Sequence, residues 1–130
     1  MRRQFQLAEE DVNSLAGRGF NWESIIENNT RWIIIPEYPI PPGYNHRSAS
    51  AALRISPSYP DDQIDMAYFF PALALASGRG IKALTPHPLD GKQYQQWSRH
   101  RKPGEWRPGI DNIGTHLLQV DGWLEKELRG

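Results

Sequence analysis

The sequence of 130 residues contains no cysteine. The absence of thiols excludes disulfide bridges, thiolate zinc sites and a cysteine nucleophile. A metal site built from histidines is not expected either, because the four histidines are widely separated and no acidic cluster accompanies them. The short "GRG" segment lacks the lysine and threonine of a phosphate loop. We therefore predict a chain that works without a metal or another cofactor.

An excess of charge of one sign is also absent. Fifteen basic side chains balance fifteen acidic ones, and the pI is about 6.9. This balance argues against DNA, RNA or an anionic membrane as the main partner. The basic segment "SRHRK" is the one feature that favours nucleic acid, and it supports only a weaker alternative.

Long apolar runs are missing as well. The most apolar stretch, "MAYFFPALALA", is too short to span a bilayer and contains Pro71. The N-terminal "MRRQFQLAEEDV" turns acidic before any apolar core develops, which is unlike a signal peptide. These patterns predict a soluble, cytoplasmic protein with a single domain over residues 1–130.

The eleven prolines and eleven glycines predict short secondary-structure elements. "LAEEDVNSLA" predicts a helix and "NWESIIENN" one further helical turn. "RWIIIPEYPI", "SASAALRIS" and "DMAYFFP" predict three strands, with a turn at "PSYPDD" and the last strand covered on both faces. Pro36 and Pro39 cannot donate ladder hydrogen bonds, so the first of these strands is expected to be short or to bend towards an edge.

The end of the chain predicts an amphipathic helix. Its apolar positions recur at spacings of three and four: Ile110, Ile113, Leu117, Val120, Leu124 and Leu128. About forty residues, Pro71 to Gly109, separate the third strand from this helix without a recognisable core element. A connection of that length in a compact domain is usually functional, so we expect the site to lie there.

The order of several segments resembles the ubiquitin-conjugating enzymes. "SPSYPDDQIDMAYFFP" resembles the Tyr-Pro segment of that family, and "HPL" at His87 to Leu89 resembles its His-Pro-Asn motif. "WRPGI" at Trp106 to Ile110 resembles its entry into the following helix. The resemblance covers roughly Trp32 to the C-terminus. It implies an α+β fold in which a short antiparallel sheet is flanked by an N-terminal helix and a C-terminal amphipathic helix, with a long active-site loop.

The segments "GKQYQQWSRH" and "WRPGIDN" resemble bacterial ubiquitin-conjugating-like proteins more closely. This resemblance implies three partners: a ubiquitin-like protein, a homologue of the ubiquitin-activating enzyme, and a metalloprotease of the deubiquitinase type. It also implies a place in a bacterial conjugation pathway that serves antiviral defence.

Spacing within the resemblance indicates a nucleophile. The family's catalytic cysteine follows the His-Pro histidine by about ten residues and precedes the tryptophan by about eight. Ser98 lies eleven residues after His87 and eight before Trp106. The resemblance therefore implies that Ser98 carries the acyl group as an oxyester. The alternative is that Ser98 is a small polar loop residue beside a packed tryptophan, and Ser77 is a weaker candidate hydroxyl.

A serine in this position needs a general base, because its hydroxyl is not ionised near neutral pH. His100 is the first candidate, since the ordinary pKa of histidine suits proton transfer in a cell. His87 is the rival, and Asp90 can orient either imidazole. The alternatives are a turn role for His87 and a solvated basic face for His100, while His46 and His116 are interpreted as incidental.

Donors for the oxyanion of a tetrahedral intermediate stay open, because Leu89 replaces the family's asparagine. The candidates are Gln95, Gln96, Arg99 and backbone amides. Arg99, Arg101 and Trp106 are predicted to bind the substrate. Two functions follow from the resemblance: an active carrier enzyme, or an inert scaffold of the same fold that binds the ubiquitin-like protein or its activating enzyme.

Overall fold

The computed structural model describes residues 1–130 and shows two helices and one six-stranded sheet. Helices α1 (Glu9–Gly17) and α2 (Ile113–Arg129) stand near the two ends of the chain. The strands between them are β1 (Glu23–Glu27), β2 (Thr30–Pro39), β3 (Ser48–Ile55), β4 (Ala67–Phe70), β5 (Leu84–Leu89) and β6 (Lys92–Trp97). Their spatial order is β1-β2-β3-β4-β6-β5, and every neighbouring pair is antiparallel. The predicted α+β class is confirmed.

Helix α2 begins where a capping box satisfies its free N–H groups. The Asn112 side chain accepts a hydrogen bond from the Thr115 N–H, and the Thr115 hydroxyl accepts one from the Asn112 N–H. The predicted stripe is buried at Ile113, Leu117, Val120 and Leu124. The prediction for Ile110 was wrong: it lies in the turn ahead of the cap and is 57% exposed.

The two faces of the sheet carry separate apolar clusters. Both helices pack on the inner face, where a core of 21 buried residues includes Leu53, Phe69 and Leu117. A second cluster lies on the outer face and contains Tyr68. Since Phe69 and Tyr68 are neighbours on β4, this strand is covered on both faces, as its apolar sequence predicted.

Residues 23–27 form a strand, and the prediction of a helical turn there was wrong. Strand β1 pairs with β2 through a tight hairpin whose turn residues, Asn28 and Asn29, have φ values of 52° and 60°. Asparagine tolerates this left-handed conformation better than most residues, which makes the pair suitable for a two-residue hairpin. The side chain of Ile25 is buried in the outer cluster.

The prolines of β2 lie beyond the part of the strand that β1 covers. Pairing with β1 ends at Ile34, so Pro36 and Pro39 face a free edge on that side. The register against β3 shifts between Ile35 and Tyr38, where Glu37 has a φ of 57°. Strand β2 is therefore ten residues long rather than short, and a bulge bends it at the prolines.

The expectation that the connection from Pro71 to Gly109 has no core element of its own was wrong. Strands β5 and β6 form a hairpin inside it, joined by Asp90 and Gly91 with φ values of 54° and 71°. These angles fit the two-residue turn that Asp-Gly favours. The irregular part that follows the hairpin is residues 98–112, between β6 and α2.

The β5–β6 hairpin curls across the outer face of the sheet. Although β5 is last in the strand order, the Asp90 N–H at the hairpin tip donates to Glu27 Oε1 on β1 at 3.0 Å. Arg2 bonds both Asp90 and Glu23, which ties the tip to the N-terminal arm. The curl buries the outer cluster, which consists of Ile25, Trp32, Ile34, Ala52, Tyr68, Leu89 and Tyr94.

The free edge of β5 carries two prolines. The Ser98 N–H donates to the Ala83 carbonyl, and antiparallel alternation then directs the N positions of Pro86 and Pro88 away from β6. Proline has no N–H, so two of the donors that this edge would otherwise expose are missing.

Neither helix has the length and apolar character that crossing a membrane requires.

Candidate active site

Ser98 is the first residue after β6 and stands at the surface. Strand alternation places its side chain on the outer face, on the same side as Gln96. The Gln96 Nε2 donates to Ser98 Oγ at 3.2 Å. Ser98 is a partly exposed residue.

His100, two residues after this serine, forms a pair with Asp65. Its Nδ1 lies 2.8 Å from Asp65 Oδ2, and the two side chains are 61% and 31% exposed. A carboxylate oxygen accepts, so Nδ1 carries the proton and Nε2 is the basic nitrogen. This is the relation between base and orienting carboxylate in a catalytic triad. The structure contains no hydrogen bond between His100 and Ser98.

The chain brings Asp65 to the site through the pairing of β4 with β6. Ala67 is the partner of Trp97, and the Met66 N–H donates to the Arg99 carbonyl at 3.2 Å. Asp65, one residue earlier, thereby lies beside the residues that follow Ser98. Sequence reasoning missed it because β6 was not predicted; an antiparallel partner for "DMAYFFP" immediately before Ser98 would have revealed it.

Asp90 orients neither histidine, so that expectation was wrong. It lies at the tip of the hairpin and accepts two hydrogen bonds from Arg2, at 2.9 and 2.7 Å. The hydrogen bonds from Arg2 lower the pKa of Asp90. The negative charge of Asp90 therefore stabilises the position of the hairpin tip.

His87 is separated from Ser98. It lies on β5 opposite Tyr94, with the rings of Trp32 and Tyr68 at centroid distances of 5.3 and 5.1 Å. Ser98 follows Tyr94 by four residues, which corresponds to about 13 Å along a strand. The structure therefore separates His87 from the serine, whereas His100 follows the serine by two residues.

His116 is a structural residue, and its interpretation as incidental was wrong. It is fully buried on α2, donates from Nε2 to the Met66 carbonyl at 2.8 Å and accepts at Nδ1 from Arg101 at 2.8 Å. Burial lowers the pKa of His116 to about 4, so the ring is neutral near neutral pH. Arg101 also donates to the Ile64 carbonyl. Together the two side chains hold residues 64–66 against α2.

Arg99 and Trp106 are likewise tied to the protein. Arg99 forms an ion pair with Glu127 of α2 at 3.0 Å and donates to the Lys82 carbonyl at 3.1 Å. The Trp106 indole N–H donates to the Pro60 carbonyl at 2.9 Å. These contacts fasten the segment after Ser98 to the last helix and to the Tyr-Pro turn.

A second polar junction joins that turn to both helices. Asp11 of α1 is 1% exposed and accepts hydrogen bonds from the Tyr59 hydroxyl at 2.8 and 2.9 Å. It also accepts one from the Ile113 N–H at the start of α2, at 3.2 Å. Burial raises the pKa of Asp11. The junction fixes the far side of the loop that carries Trp106.

The sequence model described as prokaryotic E2 family E matches residues 7–127. The chain belongs to this family. The match includes Asp65, Ser98 and His100, and it confirms the resemblance to bacterial ubiquitin-conjugating enzymes. In general terms, this member of the E2 family is a carrier of ubiquitin-like conjugation, a transferase that works with a ubiquitin-like protein and an activating enzyme. No curated protein and no solved structure matches the chain.

Proposed function

We propose that this chain accepts the C-terminus of a ubiquitin-like protein as an oxyester on Ser98 and passes it to an acceptor. The observation that carries the proposal is the position of Ser98. Ser98 is partly exposed, and its spacing from His87 and Trp106 matches that of the family's nucleophile. His100, two residues further on, is paired with Asp65.

The loading step requires an activated acyl donor, namely the C-terminal carboxyl held as a thioester or ester on the activating enzyme. Ser98 Oγ attacks the carbonyl carbon, and the hydroxyl proton passes to His100 Nε2. The new Oγ–C bond forms, the bond to the activating enzyme breaks, and the departing sulfur or oxygen receives the proton from His100. Attack by an acceptor amine then releases Ser98 by the same route.

His100 must approach Ser98 for this transfer, because the two side chains are not hydrogen-bonded here. Catalytic hydrogen bonds are often long or poorly aligned without substrate and tighten in the complex. The His100 ring is 61% exposed, so solvent leaves room for it to rotate towards Ser98, whereas the backbone of Ser98 is held by the sheet.

The surface around the site is the proposed binding region for the acyl tail. Arg99, Arg101 and Trp106 give it a basic and aromatic character, and their contacts with Glu127, His116 and the Pro60 carbonyl keep it in one shape. We extend the proposal to a single domain over residues 1–130 and to a deubiquitinase-type metalloprotease in the same pathway.

Adduct formation tests the proposal. The protein, its activating enzyme, the ubiquitin-like protein and ATP should give an adduct that survives thiol reductant and is cleaved by hydroxylamine or mild alkali. Ser98→Ala should abolish this adduct, whereas Ser77→Ala should not. Ser98→Cys should give an adduct that reductant removes, because a thioester replaces the oxyester.

Two results would contradict the proposal. An identical adduct on wild type and Ser98→Ala would show that another residue is the acceptor. Absence of any adduct, together with tight binding of the ubiquitin-like protein to both forms, would instead support the inert scaffold.

A further inference from the structure

The existing hydrogen bonds reduce the number of candidates for the oxyanion donor. Acyl transfer at Ser98 passes through a tetrahedral intermediate whose oxygen is negatively charged and needs a positioned donor. Leu89 occupies the position of the family's asparagine, has no donor, and is buried at the hairpin tip with 1% exposure. The donor must therefore come from another residue.

Most of the nearby donors are already committed to structural bonds. The Gln95 amide bonds the backbone of Leu73 through both its N–H and its carbonyl, at 3.0 Å each, and also accepts from Trp97. Arg99 is held by Glu127 and the Lys82 carbonyl. The Ser98 N–H itself donates to the Ala83 carbonyl at 3.1 Å.

Gln96 is different, because its amide points at the reacting atom. Its Nε2 lies 3.2 Å from Ser98 Oγ and 3.7 Å from Met66 Sδ. A thioether sulfur can only accept, which fixes the amide with its nitrogen towards the site. The backbone of Gln96 lies within β6, paired on both sides, so the donor stands on a rigid element.

We propose that Gln96 is the catalytic oxyanion donor of this site: its side-chain N–H bonds the acyl carbonyl oxygen as that oxygen becomes negative on Ser98. The inference rests on the proposed function. In the intermediate, this oxygen is two bonds from Oγ, so a donor already in contact with Oγ reaches it by a small rotation. The second N–H contacts only a sulfur atom, a weak acceptor, and exchanging that contact for an oxyanion is favourable.

The test compares Gln96→Ala and Gln96→Glu with Gln93→Glu. Gln93 is exposed on the same strand and controls for added charge on the hairpin. Loss of one oxyanion donor reduces acyl-transfer rates by about 10²- to 10³-fold. We expect both Gln96 variants to form the Ser98 adduct that much more slowly in single-turnover experiments, while Gln93→Glu forms it at the wild-type rate.

Two further measurements separate chemistry from positioning. Affinity for the ubiquitin-like protein and the thermal unfolding midpoint should be unchanged in the Gln96 variants. Discharge of preloaded adduct to hydroxylamine should slow by a similar factor, because the same oxyanion forms in both directions of transfer.

The outcomes distinguish this inference from the function on which it rests. Absence of a wild-type adduct on Ser98 would remove the proposed function. A normal Ser98 adduct that forms equally fast in Gln96→Ala would overturn the donor assignment alone. Parallel losses of rate, affinity and thermal stability would also overturn it, since they would make Gln96 a structural residue.

Discussion

His100 and His116 form hydrogen bonds to adjacent residues, one from the surface and one from inside the protein. His100 bonds the Asp65 side chain at the surface, and His116 bonds the Met66 carbonyl from inside the protein. The first is 61% exposed, whereas the second is fully buried and also receives a hydrogen bond from Arg101. The same residue type therefore serves two roles here, and burial determines which.

The difference shows how an exposed site can still be positioned. A buried imidazole with both nitrogens bonded cannot exchange protons with a substrate, but it fixes the backbone beneath the site. An exposed imidazole with one nitrogen bonded to a carboxylate keeps the other nitrogen available. The comparison predicts that changes at His100 affect the reaction and changes at His116 affect folding.

The largest expected effect is that of His100→Ala on the reaction. Removing a general base slows proton transfer by about 10²- to 10⁴-fold, so adduct formation on Ser98 should slow by that factor. Affinity for the ubiquitin-like protein and the melting temperature should stay close to wild type. His46→Ala, in the loop between β2 and β3, is the matched control. An equal loss of rate and affinity would make His100 a contact residue.

The next effect concerns acid stability. The folded-state pKa of His116 is about 4, below the ordinary 6.5, because burial penalises the imidazolium ion. The unfolded chain therefore binds more protons between these values, and stability present above about pH 6.5 is lost as the pH falls towards 4. The loss is on the order of 3 kcal/mol from this residue. His116→Gln, which can keep both hydrogen bonds, should not show it.

Urea unfolding of both proteins at several pH values measures this difference. Asp11 acts in the opposite direction, because burial raises its pKa and its stabilising effect is lost as the pH rises. Both proteins contain Asp11, so subtracting one profile from the other removes its effect. Identical profiles for wild type and His116→Gln would show that the pKa of His116 does not differ between the folded and unfolded states.

The smallest expected effect is that of Asp65→Asn on stability. The His100 ring is 61% exposed and the Asp65 side chain 31%, and ion pairs that solvent screens contribute about 0–1 kcal/mol, so the free energy of unfolding should change little. The rate of adduct formation should nevertheless fall, since asparagine holds the ring without favouring its charged form. If Asp65→Asn loses much stability but keeps the wild-type rate of adduct formation, the Asp65–His100 pair is structural and the role assigned to His100 in the reaction is wrong.

Periodicity was a sufficient guide where one face of an element packs against the core. The spacing of Ile113, Leu117, Val120 and Leu124 predicted α2, because a helix buries one stripe. Ile110 continues the same spacing but precedes Asn112, whose cap begins the helix. The apolar pattern alone could not show that boundary.

The hairpin was missed because its residues are polar or lack an N–H. "LTPHPL" contains two prolines and "KQYQQW" three glutamines, which is unusual for a strand inside a core. The packing that stabilises it is non-local, since Leu89 and Tyr94 cover Trp32 on the opposite part of the sheet. The Asp-Gly pair between the two segments was the local signal for the turn.

Because the β5–β6 hairpin was not predicted, only part of the candidate site could be predicted from the sequence. Spacing indicated Ser98 and His100, which are close in sequence. Asp65 lies 35 residues from His100 and becomes its neighbour only through the pairing of β4 with β6. Gln96 could be chosen over Gln95 only once the strand faces were known.

The prolines at the rim of the sheet bear on how such a carrier exchanges partners. A sheet edge with unpaired backbone N–H groups can pair with a strand from another chain. Such pairing is cooperative and slow to dissociate. Pro86 and Pro88 remove two of these donors from the edge of β5, so the addition of a strand is disfavoured there. Binding through side-chain contacts is brief and reversible, which suits a carrier that passes its acyl group from one protein to the next.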